Sequence, residues 1–187
     1  PYAVSKLASE QYLQMIGRAA GFPHVVLRPC NTFGRRHESG YVVEYVVTRM
    51  LEGCPVHLGT PEAVRDFMYV DDHVNAYLKA LDLPLGAGEP VKRRLEEDPH
   101  AYVFNVGWGS EVRVADLAER VRKATGFTGE VQAGFPPDYP LRPVIEPYLS
   151  VDAAKARAQL GWTPAVTLDE GIRRTIETWR VAERFGS

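Results

Sequence analysis

Residues 24–30 read His24-Val-Val-Leu-Arg-Pro-Cys30, a short β-branched run closed by a proline. A run this short, bounded by turn residues, predicts a largely buried strand of a parallel sheet. Upstream, Val4, Leu7, Ala8, Tyr12, Met15, Ile16 and Ala19 recur at spacings of three and four, then Gly21 and Pro23 intervene. That spacing predicts an amphipathic helix over 2–20 with a clear stop. Downstream, helical spacing returns over 41–52, and 56–58 and 67–70 read as short strands. Asp71 or Asp72 is placed to cap a helix that follows. Residues 84–101 are proline, glycine and charge, which reads as a solvated loop. A second parallel strand at 102–106, a turn at 107–110 and a helix over 114–125 come next. The proline-rich stretch 134–147 is irregular, and helices over 152–160 and 168–185 close the chain.

Strands alternating with helices place the chain in the α/β class, with a looser and more mixed last third. Only 24–30 and 102–106 read as core parallel strands. Two such strands cannot form a sheet covered on both faces, so one long edge is left open and the sequence reads as the second part of a domain. The chain opens at Pro1 and its second residue, Tyr2, already looks functional, so sequence upstream is expected.

Composition narrows the function. The 187 residues are 45% hydrophobic and 25% charged, with 22 Lys plus Arg against 24 Asp plus Glu and a net charge of −2. No basic excess exists to recruit nucleic acid or an anionic membrane. Every apolar run is interrupted well short of the roughly 20 residues of a membrane span, and no signal peptide is recognisable. Cys30 and Cys54 read as small buried hydrophobes, which makes a reducing, cytoplasmic setting the expectation. The His37-Glu38-Ser39 segment lacks a second histidine or cysteine at metal spacing, so no metal is expected.

Tyr2 and Lys6 lie four apart on the first predicted helix and share a face. An ammonium beside a phenol favours the phenolate, the form a general base for a substrate hydroxyl requires. By itself the pair is a weak signal and reads rather as a surface helix pair.

Context distinguishes these readings. PYAVSKLASEQYL (1–13), LRPCNTFG (27–34), VRDFMYVDDHVNAYLKAL (64–81), YVFNVG (102–107) and RPVIEPYLSVDAAKARAQLGWTP (142–164) occur in that order. Together they resemble the extended short-chain dehydrogenase/reductases that act on nucleotide sugars, the NAD-dependent epimerase/dehydratase group. The resemblance implies a partial Rossmann-type parallel sheet with a smaller mixed α/β substrate-binding domain. Residues 1–34 and 71–107 would belong to the NAD-binding domain, and 35–70 and 108–187 to the nucleotide-sugar domain. The glycine-rich loop and the Ser or Thr that such enzymes use would lie upstream of Pro1. Gly107 and Gly109 form only half of such a loop and read as a turn.

The resemblance makes Tyr2 the acid/base and sets Lys6 on the nicotinamide ribose of NAD, with NADP an alternative. It lays the backbone at Pro29 and Cys30 against the nicotinamide, and sends Asn31 to the diphosphate of a nucleoside-diphosphate sugar. Arg36, with Arg35, reads as a phosphate or sugar contact or as solvated charge. Arg65 and Arg142 are set to clamp the diphosphate, for which a planar guanidinium fork is suited. Val56, His57 and Leu58 would flank the nucleobase. Asp66, Asp71 and Asp72 read as caps and internal salt bridges at the domain junction, and Glu10, Glu38 and Glu44 have no partner spacing that argues catalysis. The implied reaction is oxidation of the sugar 4-hydroxyl to a 4-keto intermediate, leaning to a 4-epimerase. The alternatives are a 4,6-dehydratase, such as a GDP-mannose type, or an inactive nucleotide-sugar-binding fragment if the chain starts at Pro1. A homodimer through the helix carrying Tyr2 and Lys6 is also implied.

Overall fold

Helix α1 (Tyr2–Ala20) opens the computed structural model, which describes residues 1–36, 39–135 and 147–185, the last five as backbone alone. It stops at Gly21, whose φ of 65° is left-handed and whose Cα lies so close to Gly88 that a side chain there would strike backbone. The chain then enters β1 (Val26–Pro29), which runs parallel to β6 (Val103–Val106) with Val26 opposite Val103 and Pro29 opposite Val106. Among the described residues no strand pairs with the other edge of β1.

Between these two strands lie β2 (Asn31–Phe33), α2 (Val42–Leu51), β3 (Val56–Leu58), β4 (Val64–Arg65), β5 (Phe67–Tyr69), α3 (Val70–Leu81) and α4 (Glu89–Glu97). After β6 come β7 (Val112–Arg113), α5 (Val114–Thr125), β8 (Val131–Ala133), β9 (Tyr148–Leu149), α6 (Ala154–Leu160) and α7 (Leu168–Phe185). β2 pairs in parallel with β5, and β3 with β8. β4 lies between antiparallel β7 and parallel β9. Phe33, Val46, Val47, Leu117, Val121 and Ile172 build one core among α2, α5 and α7. A second, around Met68, Phe104, Val106 and Trp162, joins β6 to α3 and α6.

Three expectations change, and one open question is decided. The supposed loop at 84–101 contains α4, whose Val91 and Leu95 are buried against Ala101. Pro90 sits in its first turn, where a missing N–H costs nothing. β1 is half-buried at Val26 and Leu27 and exposed at Arg28 and Pro29, because its outer edge is open. The faces of α1, left open by its periodicity, are decided: Val4, Leu7, Tyr12 and Met15 are exposed, whereas Glu10, Gln14 and Gly17 are buried. Its inner neighbours supply polar partners, Arg28 and His100, so the polar face turns inward. Finally, neither aspartate caps α3, whose N-cap is Tyr69. Asp72 instead accepts the backbone N–H groups of Ala165 and Val166 at 2.9 and 3.0 Å, tying the segment after α6 to α3.

Candidate active site

Tyr2 is the first residue of α1 and Lys6 follows one turn later, its Nζ 5.4 Å from the centroid of the Tyr2 ring. The series continues to Glu10 at the same spacing. All three line a cleft of about 660 Å³ along the open edge of β1, walled by Leu13, by Val26 through Pro29, and by Tyr77 of α3. Inside it, Glu10 takes Arg28 Nε at 2.9 Å and Nη2 at 2.5 Å, a two-pronged ion pair that holds the strand to the helix. Its carboxylate keeps the Arg28 guanidinium above its ordinary pKa. Gln14 donates to Glu10 at 3.3 Å and lies 3.3 Å from His100 Nδ1, extending the network.

Two residues past Pro29, Asn31 enters a second cavity of about 250 Å³ that also takes in Tyr45, His57, Leu58, Arg65 and Phe135. The Tyr45 hydroxyl accepts the His57 backbone N–H at 3.1 Å, and the Phe135 ring presses on Gly59, where a Cβ would meet it at 2.1 Å. Arg65 donates through Nη1 to the carbonyls of Val64 and Pro147 at 2.7 and 3.1 Å.

Cys30 bridges cleft and cavity along the chain, but its side chain is buried toward Gly107 and Asp66. Burial, reinforced by the Asp66 charge, pushes its thiol up to about 12, so the sulfur stays protonated. Asp66, wholly buried, accepts Gly109 N–H (2.9 Å), Ser110 N–H (3.2 Å) and Ser110 Oγ (3.0 Å). It joins β4 to the turn after β6 through these hydrogen bonds, where the sequence suggested capping or a salt bridge.

The segment after β2 is equally constrained. Glu44 of α2, with no exposed surface, accepts through Oε1 the N–H groups of Gly34 (2.8 Å) and Arg35 (3.0 Å), and Arg35 Nη1 at 3.4 Å. Arg35 Nη1 also donates to the Thr32 carbonyl, and the guanidinium lies 3.7 Å over the Tyr41 ring. His73 Nδ1 lies 2.9 Å from Thr32 Oγ1 and its ring stacks on Tyr77. Burial, then the Arg35 charge, holds the His73 pKa below its usual value.

Of the residues singled out by sequence, Tyr2, Lys6 and Pro29 therefore meet in the cleft, and Asn31, His57, Leu58 and Arg65 in the cavity. Val56 is buried in the core, Cys30 faces inward, and Arg36 is exposed and lines neither space. Arg142 lies outside the described residues. Glu10, Arg28 and Glu44 escaped sequence reasoning. The four-residue step from Tyr2 to Lys6 to Glu10 signalled the first; the partner of Glu44 lies nine residues back across a loop and left no periodic trace. No three His, Cys, Asp or Glu side chains among the described residues converge as metal ligands.

Residues 1–107 match the model of the NAD-dependent epimerase/dehydratase family. The chain belongs to this family. A UDP-glucose 4-epimerase from Thermotoga maritima, solved with UDP-glucose, is 33% identical and superposes with a TM-score of 0.81 over 98% of this chain and 54% of that one. A UDP-glucose 4-epimerase from Mycolicibacterium smegmatis is 32% identical over 96% of this chain and 53% of its own length. A dTDP-glucose 4,6-dehydratase from Salmonella typhimurium is 29% identical over 97% and 47%. The chain thus spans about half the length of the curated epimerase/dehydratase relatives it matches. No described helix is long and apolar enough to cross a membrane.

Proposed function

We propose that this chain is the carboxyl-side part of an NAD-dependent nucleoside-diphosphate-sugar epimerase or dehydratase, with the 4-epimerase preferred. One observation carries the reading. Tyr2 and Lys6 of α1 line one cleft with Pro29 of β1, and Asn31, two residues beyond Pro29, opens a separate cavity. A cofactor and a substrate therefore have adjoining places, at the carboxyl end of a parallel strand. The residues present fit a nicotinamide: Pro29 and the strand offer an apolar wall, and Lys6 offers a donor for a ribose hydroxyl. NAD or NADP, when bound, supplies the hydride acceptor. The Tyr2 phenol exchanges the proton of the sugar 4-hydroxyl, with the Lys6 charge beside it. Asn31, Arg65, Arg142 and Arg36 are assigned to the diphosphate and sugar, and the β3 backbone around Val56, His57 and Leu58 to the base. The epimerase preference is supported by two relatives named UDP-glucose 4-epimerase at 32 and 33% identity, although a third so named is 28% identical and three dehydratases 29%.

The domain split inferred from sequence (1–34 with 71–107, 35–70 with 108–187) is retained in this reading, although the second core draws Met68, α6 and Trp162 from the second set of ranges onto β6 and α3 of the first. The exposed Val4, Leu7, Tyr12 and Met15 stripe of α1 supports a homodimer through that helix. Both cysteines are free, in keeping with a cytoplasmic enzyme. In the full-length protein, offered UDP-glucose and dTDP-glucose, Tyr2→Phe is expected to lower turnover by about 10²–10⁴-fold with substrate affinity nearly unchanged. Near-normal turnover would refute the assignment, and the product, a 4-epimer or a 4-keto-6-deoxy sugar, separates the two chemistries.

A further inference from the structure

Glu44 presents a physical puzzle. A fully buried carboxylate is costly unless it is well satisfied. This one sits in the first turn of α2 without capping that helix, and its Oε2 has no hydrogen-bond partner among the described residues. All the bonds it makes go to two consecutive residues, Gly34 and Arg35.

Arg35 shows what that arrangement achieves. Its Nη1 is committed to the Thr32 carbonyl and to Glu44, and its flat face is laid on Tyr41. The side chain is nevertheless 29% exposed. Its Nε and Nη2 donate to no described residue. Those two nitrogens form the side-on edge of a guanidinium, whose parallel N–H groups match two oxygens of one oxyanion. Holding a long, flexible side chain by one amino group and one face lowers the entropy lost when the remaining edge binds. The segment starts at Asn31, a lining residue of the 250 Å³ cavity.

We propose that Arg35 binds an oxyanion of the substrate through its Nε and Nη2 edge, and that Glu44 is the positioning residue that holds Arg35 for this purpose without touching the ligand. The proposal rests on the nucleotide-sugar reading above and adds a specificity element to it. The oxyanion is either the diphosphate, shared by every nucleotide sugar, or a carboxylate carried on the sugar.

The test uses the full-length protein with bound cofactor and two probes, UDP-glucose and UDP-glucuronate. Arg35→Ala is expected to raise KM by about 10–100-fold, the loss of a charge-assisted bidentate contact, and to raise KM more than it lowers kcat. An equal rise for both probes assigns the diphosphate; a rise confined to UDP-glucuronate assigns the sugar carboxylate. Glu44→Gln keeps one oxygen for the two backbone N–H groups and preserves the fold while removing the charge that holds Arg35. It is expected to raise KM by about 3–10-fold and to add nothing in the Arg35→Ala background, because the two act as one unit. A purely architectural Glu44 would instead lower Tm and leave KM untouched. Unchanged KM for both probes in Arg35→Ala, or full additivity of the two substitutions, would overturn the proposal. A wild-type protein that neither binds nor turns over these probes, dTDP-glucose or GDP-mannose overturns the nucleotide-sugar reading and this proposal together, whereas active wild type with indifferent variants overturns this proposal alone.

Discussion

Replacing Asp66 with alanine tests how the two halves of the site are held in register. Its carboxylate is wholly buried and receives three hydrogen bonds from Gly109 and Ser110, more than forty residues away in sequence. Bonds to a charged acceptor contribute about 1.5–3 kcal/mol each, and a buried donor left without an acceptor costs about 1–3 kcal/mol. Relief from burying the charge offsets part of this, so the net loss is about 3–5 kcal/mol, the range for breaking a buried charged network. At about 2–4 °C per kcal/mol for a chain of this size, Tm falls by roughly 6–20 °C. Asp66→Asn keeps one acceptor oxygen but brings an amide N–H toward existing donors, and is expected to lose about 1–3 kcal/mol. Urea unfolding followed by tryptophan fluorescence suits the measurement, because Trp108 immediately precedes the anchored turn and donates to the Val166 carbonyl at 3.0 Å. A loss below about 1 kcal/mol for Asp66→Ala would refute the reasoning.

Gly107→Ala should be destabilising by about 1–3 kcal/mol, since its Cβ would lie 2.3 Å from Val151 Cγ2 and 2.5 Å from Asp66 Oδ2, both packed or hydrogen-bonded; a Tm equal to wild type would contradict this. His73 is held below its ordinary pKa of 6.5, so the unfolded chain binds its proton more readily. The stability this residue contributes is present above pH 6.5 and lost as pH falls below it. Wild-type Tm should therefore fall between pH 7.5 and 5.5 by more than that of His73→Gln, and parallel curves would exclude the effect. Cys30, with its thiol pushed up to about 12, should resist iodoacetamide at pH 8 in the folded protein, while the partly exposed Cys54 is alkylated. Mass mapping of the labelled cysteine decides, and early labelling of Cys30 would be the contrary result.

The order of helices and strands was legible because most elements announce themselves locally. Gly21 and Gly126 stop their helices in left-handed conformations, and the short apolar runs around 24–30 and 102–106 became the parallel pair β1 and β6. α4 was not legible, since Val91 and Leu95 are its only buried residues and Pro90 reads as a breaker when it is in fact at the helix start. The site residues on α1, β2, β3 and β4 carried motif signals. Asp66 and Glu44 carried none for their actual work, because each serves backbone N–H groups of a distant loop, and a backbone donor has no residue identity that a sequence could display.

α1 shows how far periodicity reaches. The 3.6-residue spacing identifies two faces but does not decide which turns inward. Polarity fails here because the inward neighbours offer Arg28 and His100 to Glu10 and Gln14. The apolar face is left outside, as are Val74, Tyr77, Leu78 and Leu81 of α3. Tyr2, Leu7 and Leu13 of α1 and Tyr77 of α3 meet over the unpaired edge of β1, in the cleft that holds Lys6. A parallel strand is stable when both of its edges and both of its faces are served. A polypeptide that pairs with this edge of β1 would have to bring apolar side chains to either side of it. The wall it adds would also close the cleft that Tyr2 and Lys6 line.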